Sequence, residues 1–249
     1  MIKVDDISVK LRDKIIIDKI KFDIPSGQII MLLGENGCGK TTLIKAMLGL
    51  YPLEKGKIMY EAQNLKNLTL KQKAAIFAYM PQIKDMVDNI TCLEVVISGL
   101  SRHHSILHIP DHQDEILAKK IMADFGILEL AQSRIDQISG GQLQMVYLCR
   151  SFIQDAKCIL MDEPCTYLDF IKQHRFLKEV IKLKSLGKSV LLSIHDPALA
   201  LKYGDQIVLM HQGKIKAIIN KDGDMAQKLQ QLYQEIYPDQ NIEIGGKNA

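Results

Sequence analysis

Apolar and polar residues alternate at the start of the chain. Ile2, Val4, Ile7 and Val9 mark one strand, and a second reads over residues 15–24. Pro25-Ser26-Gly27 is a turn, and Ile29 to Leu33 reads as a short buried strand. Leu43, Ala46, Met47 and Leu50 then recur at helical spacing, until Tyr51-Pro52 ends the helix. Residues 57–60 and 75–79 read as further strand pieces. From about 84 to 155 the pattern is mostly helical. It includes 90–100, 113–125 and a helix opened by Gly140-Gly141 that carries Leu143, Val146 and Phe152. Strand and helix alternate again at 157–161, 169–186, 188–194 and 197–203. Two strands at 205–210 and 214–219 are joined by the hairpin signal His211-Gln212-Gly213. The pattern predicts an α/β fold whose sheet core is interrupted by a helical insert.

Composition narrows the classes. The 249 residues suffice for one large domain or a core with a subdomain, and no repeat or low-complexity segment is present. No apolar run approaches 18 residues, so no transmembrane helix is expected, and Met1 to Lys10 lacks a signal-peptide core. A net charge of only +3 gives no bulk basic footprint, so nucleic acid is not an expected partner. Cys38, Cys92, Cys149, Cys158 and Cys165 are odd in number and form no CxxC. A reducing cytosol fits them better than a disulfide framework or a zinc site. His103, His104 and His108 fall in a loop and earn no metal role. The closing Gly245-Gly246-Lys247-Asn248-Ala249 is polar, and disorder is expected there.

The candidate chemistry begins at Gly34-Glu35-Asn36-Gly37-Cys38-Gly39-Lys40-Thr41, which fits the P-loop pattern at every fixed position. A triphosphate is held well by converging backbone N–H groups, and Gly34, Gly37 and Gly39 permit the bend and the close approach. The helix from Lys40 adds its positive end. Lys40 would reach the β- and γ-phosphates, Thr41 would bind Mg²⁺, and Thr42 completes the expected ATP contacts. Cys38 occupies a variable position. Asp162 closes the buried-strand pattern Cys158-Ile159-Leu160-Met161, where a carboxylate can hold Mg²⁺ through water. Glu163 follows it. Ser139-Gly140-Gly141-Gln142 opens a helix at a second anion-binding end, 23 positions before Asp162 counted from Ser139.

This order of P-loop, Ser-Gly-Gly-Gln and Asp-Glu resembles the ATP-binding subunits of ABC transporters over nearly the whole chain. The resemblance implies a RecA-like P-loop NTPase core with an N-terminal antiparallel β subdomain. Core and β subdomain would occupy 1–83 and 156–220, a helical subdomain carrying the signature 84–155, and a C-terminal extension 221–249. It implies that Glu163 polarises the attacking water and that Gln82, after Ala78-Tyr79-Met80-Pro81, is the Q-loop glutamine, able to touch Mg²⁺ or that water. His195 matches the switch histidine that reaches the γ-phosphate. Two anion sites could serve one nucleotide within the chain. The resemblance implies instead a head-to-tail homodimer in which Ser139 to Gln142 cap ATP held by the other copy, with Asp169, in the D-loop position, at the interface. Two integral-membrane permease subunits and, indirectly, a substrate-binding protein would complete the machine, at the cytoplasmic face of the inner membrane.

Residues 90–102, together with Leu168-Asp169, Gln173 and His195-Asp196-Pro197-Ala198-Leu199-Ala200, resemble the metal-chelate importers, which handle ferric siderophores, haem and cobalamin. Four positions depart from the family pattern. Leu11 stands where an aromatic usually stacks on adenine, Met145 replaces an arginine, Cys165 a threonine and Ile138 a leucine. None removes a catalytic group. An exporter cassette or a soluble ABC ATPase remains the alternative. Against a repair ATPase, Thr41 and Ser139 are only 98 positions apart with no heptad run between them.

Overall fold

The computed structural model describes residues 1–82, 89–102, 109–239 and 244. His103, His104 and His108, the start of the expected helical stretch at 84–88 and the closing residues 245–249 lie outside the described residues. The chain forms two compact units, one of Met1–Asn67 with Leu191–Ala249 and one of Leu68–Val190.

In the first unit, β1 (Ile2–Leu11) pairs antiparallel with β2 (Lys14–Ile24) and with β4 (Lys55–Tyr60), and β5 (Gln63–Asn64) completes the order β2-β1-β4-β5. The apolar positions of β1 run 2, 4, 7, 9 rather than strictly every second residue. The register shifts between Val4 and Ile7, with Asp6 at φ 55, and this irregularity keeps Ile2, Val4, Ile7 and Val9 all buried. β3 (Ile29–Leu33), buried at every residue, pairs parallel with β9 (Gln206–His211). β9 turns through Gln212 and Gly213, both at positive φ, into antiparallel β10 (Lys214–Asn220). β8 (Ser189–Ile194), whose last four residues belong to this unit, follows β3 in the order β10-β9-β3-β8.

Among the described residues, three α-helices accompany these strands. α1 (Lys40–Met47) stops well short of Tyr51-Pro52, because Gly49 takes the left-handed conformation that ends helices. α7 (Pro197–Tyr203) starts with proline in its first turn, and Asp196 caps it by accepting from Ala198 N and Leu199 N. α8 (Met225–Ile236) buries Met225 and Leu229, four residues apart on one face. The sequence reading gave the extension at 221–249 no helix.

In the second unit, α2 (Leu70–Ile76) leads into β6 (Phe77–Met80), which pairs parallel with β7 (Cys158–Met161). The strand expected at 75–79 therefore begins only at Phe77. Thr69 and Gln72 form a reciprocal capping box, and this local N-cap commits 70–76 to helix. The same device starts α3 (Cys92–Ile97), through Thr91 and Glu94, and α4 (His112–Asp124), through Asp111 and Asp114. α5 (Gly140–Ile153) and α6 (Phe170–Ser185) complete the unit. α6 turns Phe176, Leu177, Val180 and Leu183 inward, at the spacing its sequence shows.

Candidate functional site

In the first unit, β3 ends at Leu33 and the chain bends through Gly34 to Gly39 before α1 begins. Gly37 has φ 81 and Gly39 φ 109, values that a side chain resists. A Cβ on Gly34 would lie 2.5 Å from the Met210 carbonyl oxygen, so the end of β9 admits only glycine there. Gly213 N also donates to Cys38 O at 3.0 Å. The loop is therefore braced by β9 and the turn after it.

Lys40, only 4% exposed, folds back into this loop. Its Nζ donates to Gly34 O at 2.8 Å and to Glu35 O at 3.0 Å. Both are main-chain carbonyls of the loop itself, so the ammonium is held inside the bend it follows. Glu35, Asn36 and Gly37 are exposed, Cys38 is buried, and Thr41 and Thr42 are half-buried at the head of α1. Burial foremost pushes the Cys38 thiol up, against the pull of Lys40. A neutral thiol suits a packing role. Leu11 ends β1 half-buried, opposite Lys14 across the hairpin. His195 is exposed immediately after β8, next to the capping Asp196.

In the second unit, Asp162 N donates to Met80 O at 2.9 Å, which continues the β6–β7 ladder by one residue. That rung brings Gln82, Asp162 and Glu163 to the carboxyl ends of two parallel strands, the end where open α/β sheets bind ligands. Asp162 is 2% exposed. Glu163 sits at φ 47, a conformation uncommon for a residue with a side chain. Its carboxylate is held from two sides. Gln82 Nε2 donates to Glu163 Oε2 at 3.2 Å, and Thr166 Oγ1 lies 3.3 Å from the same oxygen. Thr166 also donates to Glu163 O at 3.2 Å. Sequence reading picked out Gln82, Asp162 and Glu163 but gave Thr166 no part in holding the glutamate. Its signal was a hydroxyl three residues on, across a proline turn.

Ser139 and Gln142 form a capping box at the head of α5. Gln142 Oε1 accepts from Ser139 N at 2.9 Å and from Ser139 Oγ at 3.0 Å. Gln142 thus spends its side chain on the helix start. The N–H groups of Gly140 and Gly141, both in the first turn, are helix-start donors without an intrahelical acceptor. Lys172 lies beside them, since a Cβ on Gly141 would come 3.0 Å from its Cδ. Lys172 Nζ is paired with Asp169 Oδ2 at 2.9 Å, and Asp169 caps α6 through Lys172 N. This bond first, and the Lys172 side chain with it, hold the Asp169 carboxyl below the usual range. A cavity of about 130 Å³ opens here, lined by Ser139, Gly141, Gln142, Lys172 and Arg175. Met145 lines it too and is otherwise buried, which explains why an apolar side chain is tolerated at that position. Cys165 is also buried, so its thiol fills space. Among the described residues no group of three or more His, Cys, Asp or Glu is placed to hold a metal ion.

Comparison with known proteins identifies the family and the fold. The ABC transporter family model matches residues 17–166. A "probable iron chelatin transport ATP-binding protein" of Helicobacter pylori is 34% identical over 219 residues, covering 86% of this chain and 85% of that one. A manganese transport system ATP-binding protein of Bacillus subtilis is 34% identical over 217 residues, covering 86% and 84%. A crystal structure of an ABC transporter cassette in its ADP conformation superposes with a TM-score of 0.86. It is 22% identical and covers 96% of this chain and 99% of that one, which establishes a shared fold.

Proposed function

The chain belongs to the ABC transporter family, as an ATP-binding cassette and ATPase, and on that premise we propose that it is the energy-supplying subunit of an importer for iron chelates, haem or cobalamin. The observation that carries the reading is the Gln82–Glu163 contact of 3.2 Å beside the buried Asp162. It supports a pre-set general base, because a carboxylate fixed by neighbours need not reorganise when water attacks.

The proposed division of labour follows the site. The N–H groups of residues 34–41 cradle the triphosphate, and Lys40 leaves the carbonyls of Gly34 and Glu35 to meet the β- and γ-phosphates. Glu163 takes the proton of the attacking water, and Gln82 and His195 orient water and γ-phosphate. Leu11 covers the base. Mg²⁺ fits the donor chemistry, since Asp162, Thr41 and Gln82 offer hard oxygen atoms, and when bound it neutralises phosphate charge. The Ser139–Gln142 helix end caps ATP held by a second copy, and Asp169 faces that copy in the homodimer. The functional segments we assign are the core and β subdomain at 1–83 and 156–220, the helical subdomain at 84–155 and the extension at 221–249.

No described helix is long and apolar enough to cross a membrane, so the proposed place is peripheral, on two permease subunits at the cytoplasmic face. The second reading for cargo is manganese, favoured by the Bacillus subtilis relative. Deleting the gene and measuring uptake separates the two. Loss of ferric-chelate uptake with manganese uptake intact supports the first reading, and the reverse result moves the cargo to manganese.

A further inference from the structure

The C-terminal helix reaches the phosphate loop, and no role assigned above uses that contact. Met225, Leu229, Tyr233 and Tyr237 stand four residues apart, a single stripe along α8 and its cap. The upper half of the stripe is anchored in the core, with Leu229 fully buried. The lower half is aromatic. Tyr233 and Tyr237 have ring centroids 5.9 Å apart, and Tyr237 meets the His211 ring edge-on at 5.9 Å.

These rings converge on Glu35, the second residue of the phosphate loop. His211 Nδ1 lies 3.0 Å from Glu35 Oε1, although the angle is not that of a hydrogen bond. Burial foremost, then the charge of the same carboxylate and a hydrogen bond to it, pushes the Tyr237 phenol up. Tyr233 is pushed up to about 12, foremost by burial and then by Tyr237, Asp196, Cys38 and Glu35 around it. The stripe therefore ends at the phosphate loop, through Tyr237 and His211.

Glu35 has two jobs at once. Its carboxylate takes the contacts from Tyr237 and His211, while its carbonyl accepts from Lys40 Nζ at 3.0 Å. Carboxylate and carbonyl belong to one residue, so contacts that fix the side chain also restrict the backbone that aims the carbonyl. We propose that Tyr237 is a positioning residue for nucleotide binding, acting through Glu35 to keep the phosphate loop and Lys40 in register for a triphosphate. The C-terminal helix then sets ATP affinity without touching ATP. This rests on the assignment of residues 34–41 as the triphosphate cradle.

The test uses the full chain and ATP with Mg²⁺, with affinity read by calorimetry for the unmodified protein, Tyr237→Phe, Glu35→Gln and the double variant. Tyr237→Phe keeps the ring packing and removes only the hydroxyl. It should weaken ATP binding by about threefold to tenfold, the worth of one hydrogen bond. In the Glu35→Gln background the same change should shift affinity by less than about twofold, because the contact it removes is already altered. The KM for ATP should rise with the dissociation constant, with kcat at saturation changed by less than about twofold. Unchanged affinity in Tyr237→Phe, an equal loss in both backgrounds, or a fall in kcat at constant KM each overturns the proposal. Lys40→Ala, measured alongside, reports on the cradle itself. If that variant binds ATP normally, the cradle assignment fails, whereas loss of binding there with a silent Tyr237→Phe rejects the positioning role alone.

Discussion

Lys40→Ala should change the ligand-free protein as well as its response to ATP. Lys40 is buried and donates at 2.8 and 3.0 Å to two loop carbonyls. Hydrogen bonds from a charged donor contribute about 1.5–3 kcal/mol each when both partners are buried. Here Glu35 is exposed, so water can replace part of the loss, and relieving the desolvated ammonium offsets more. We expect a net destabilisation of roughly 1–3 kcal/mol. At about 2–4 °C per kcal/mol for a chain of this size, the melting temperature should fall by roughly 3–10 °C. ATP at a hundredfold excess over its dissociation constant adds about 2.7 kcal/mol to the unmodified protein, a rise of roughly 5–10 °C. In Lys40→Ala that rise should vanish. Differential scanning calorimetry with and without ATP and Mg²⁺ reads both effects. An ATP-induced rise equal to that of the unmodified chain would refute the phosphate role, and an unshifted ligand-free melt would refute the weight given to the two carbonyl bonds.

Three further outcomes follow from the same geometry. Gly34→Ala, whose Cβ would lie 2.5 Å from Met210 O, should lose nucleotide binding, whereas Gly37→Ala, with open space and φ 81, should cost only about 1–2 kcal/mol; paired ATP titrations and melts check the contrast. Leu11→Tyr should tighten ATP, while the unmodified chain binds ATP and GTP within about tenfold, a gap of ~1.4 kcal/mol; titrating both nucleotides on both proteins tests this, and a strong ATP preference untouched by the tyrosine assigns the base to another residue. Mixed dimers of Ser139→Arg and Lys40→Ala chains should trap ATP at one intact site, and trapping at neither would mean that both motifs serve one nucleotide within a chain.

The parts of the fold that were legible in the sequence share a local cause. Ile29 to Leu33 reads as a buried strand because every residue is apolar, and it is buried throughout. Asp196-Pro197 announces α7 because the cap and the proline act within one turn. Even the irregularity of β1 is written in its 2, 4, 7, 9 spacing, although only the paired strand shows it as a register shift. The misses come from competing signals. Ala75 and Ile76 are apolar enough to extend β6 backwards, but the Thr69–Gln72 box claims them for helix. The stripe of α8 is sparse and half aromatic, one position in four, so no helical repeat was read there.

At the candidate site, motif residues were readable because glycine, lysine and carboxylate chemistry leaves few substitutes. Their supports were not. Thr166 on Glu163 and Lys172 beside Gly141 depend on turns and helix packing that spacing does not specify. The Tyr237, His211 and Glu35 cluster joins positions about 200 residues apart through tertiary contact alone.

We propose that this chain hydrolyses ATP with Glu163 as the general base. The most direct test is phosphate release from ATP by the full chain, unmodified and as Glu163→Gln, beside an ATP titration of each. The two side chains have the same shape, so Gln82 and Thr166 can still hold the variant, but the amide cannot take a proton. Phosphate release by the unmodified chain is expected, with a loss of at least about a hundredfold in the variant and ATP affinity retained within about threefold. Equal turnover in the two proteins, or an unmodified chain that binds ATP and never releases phosphate, would contradict it.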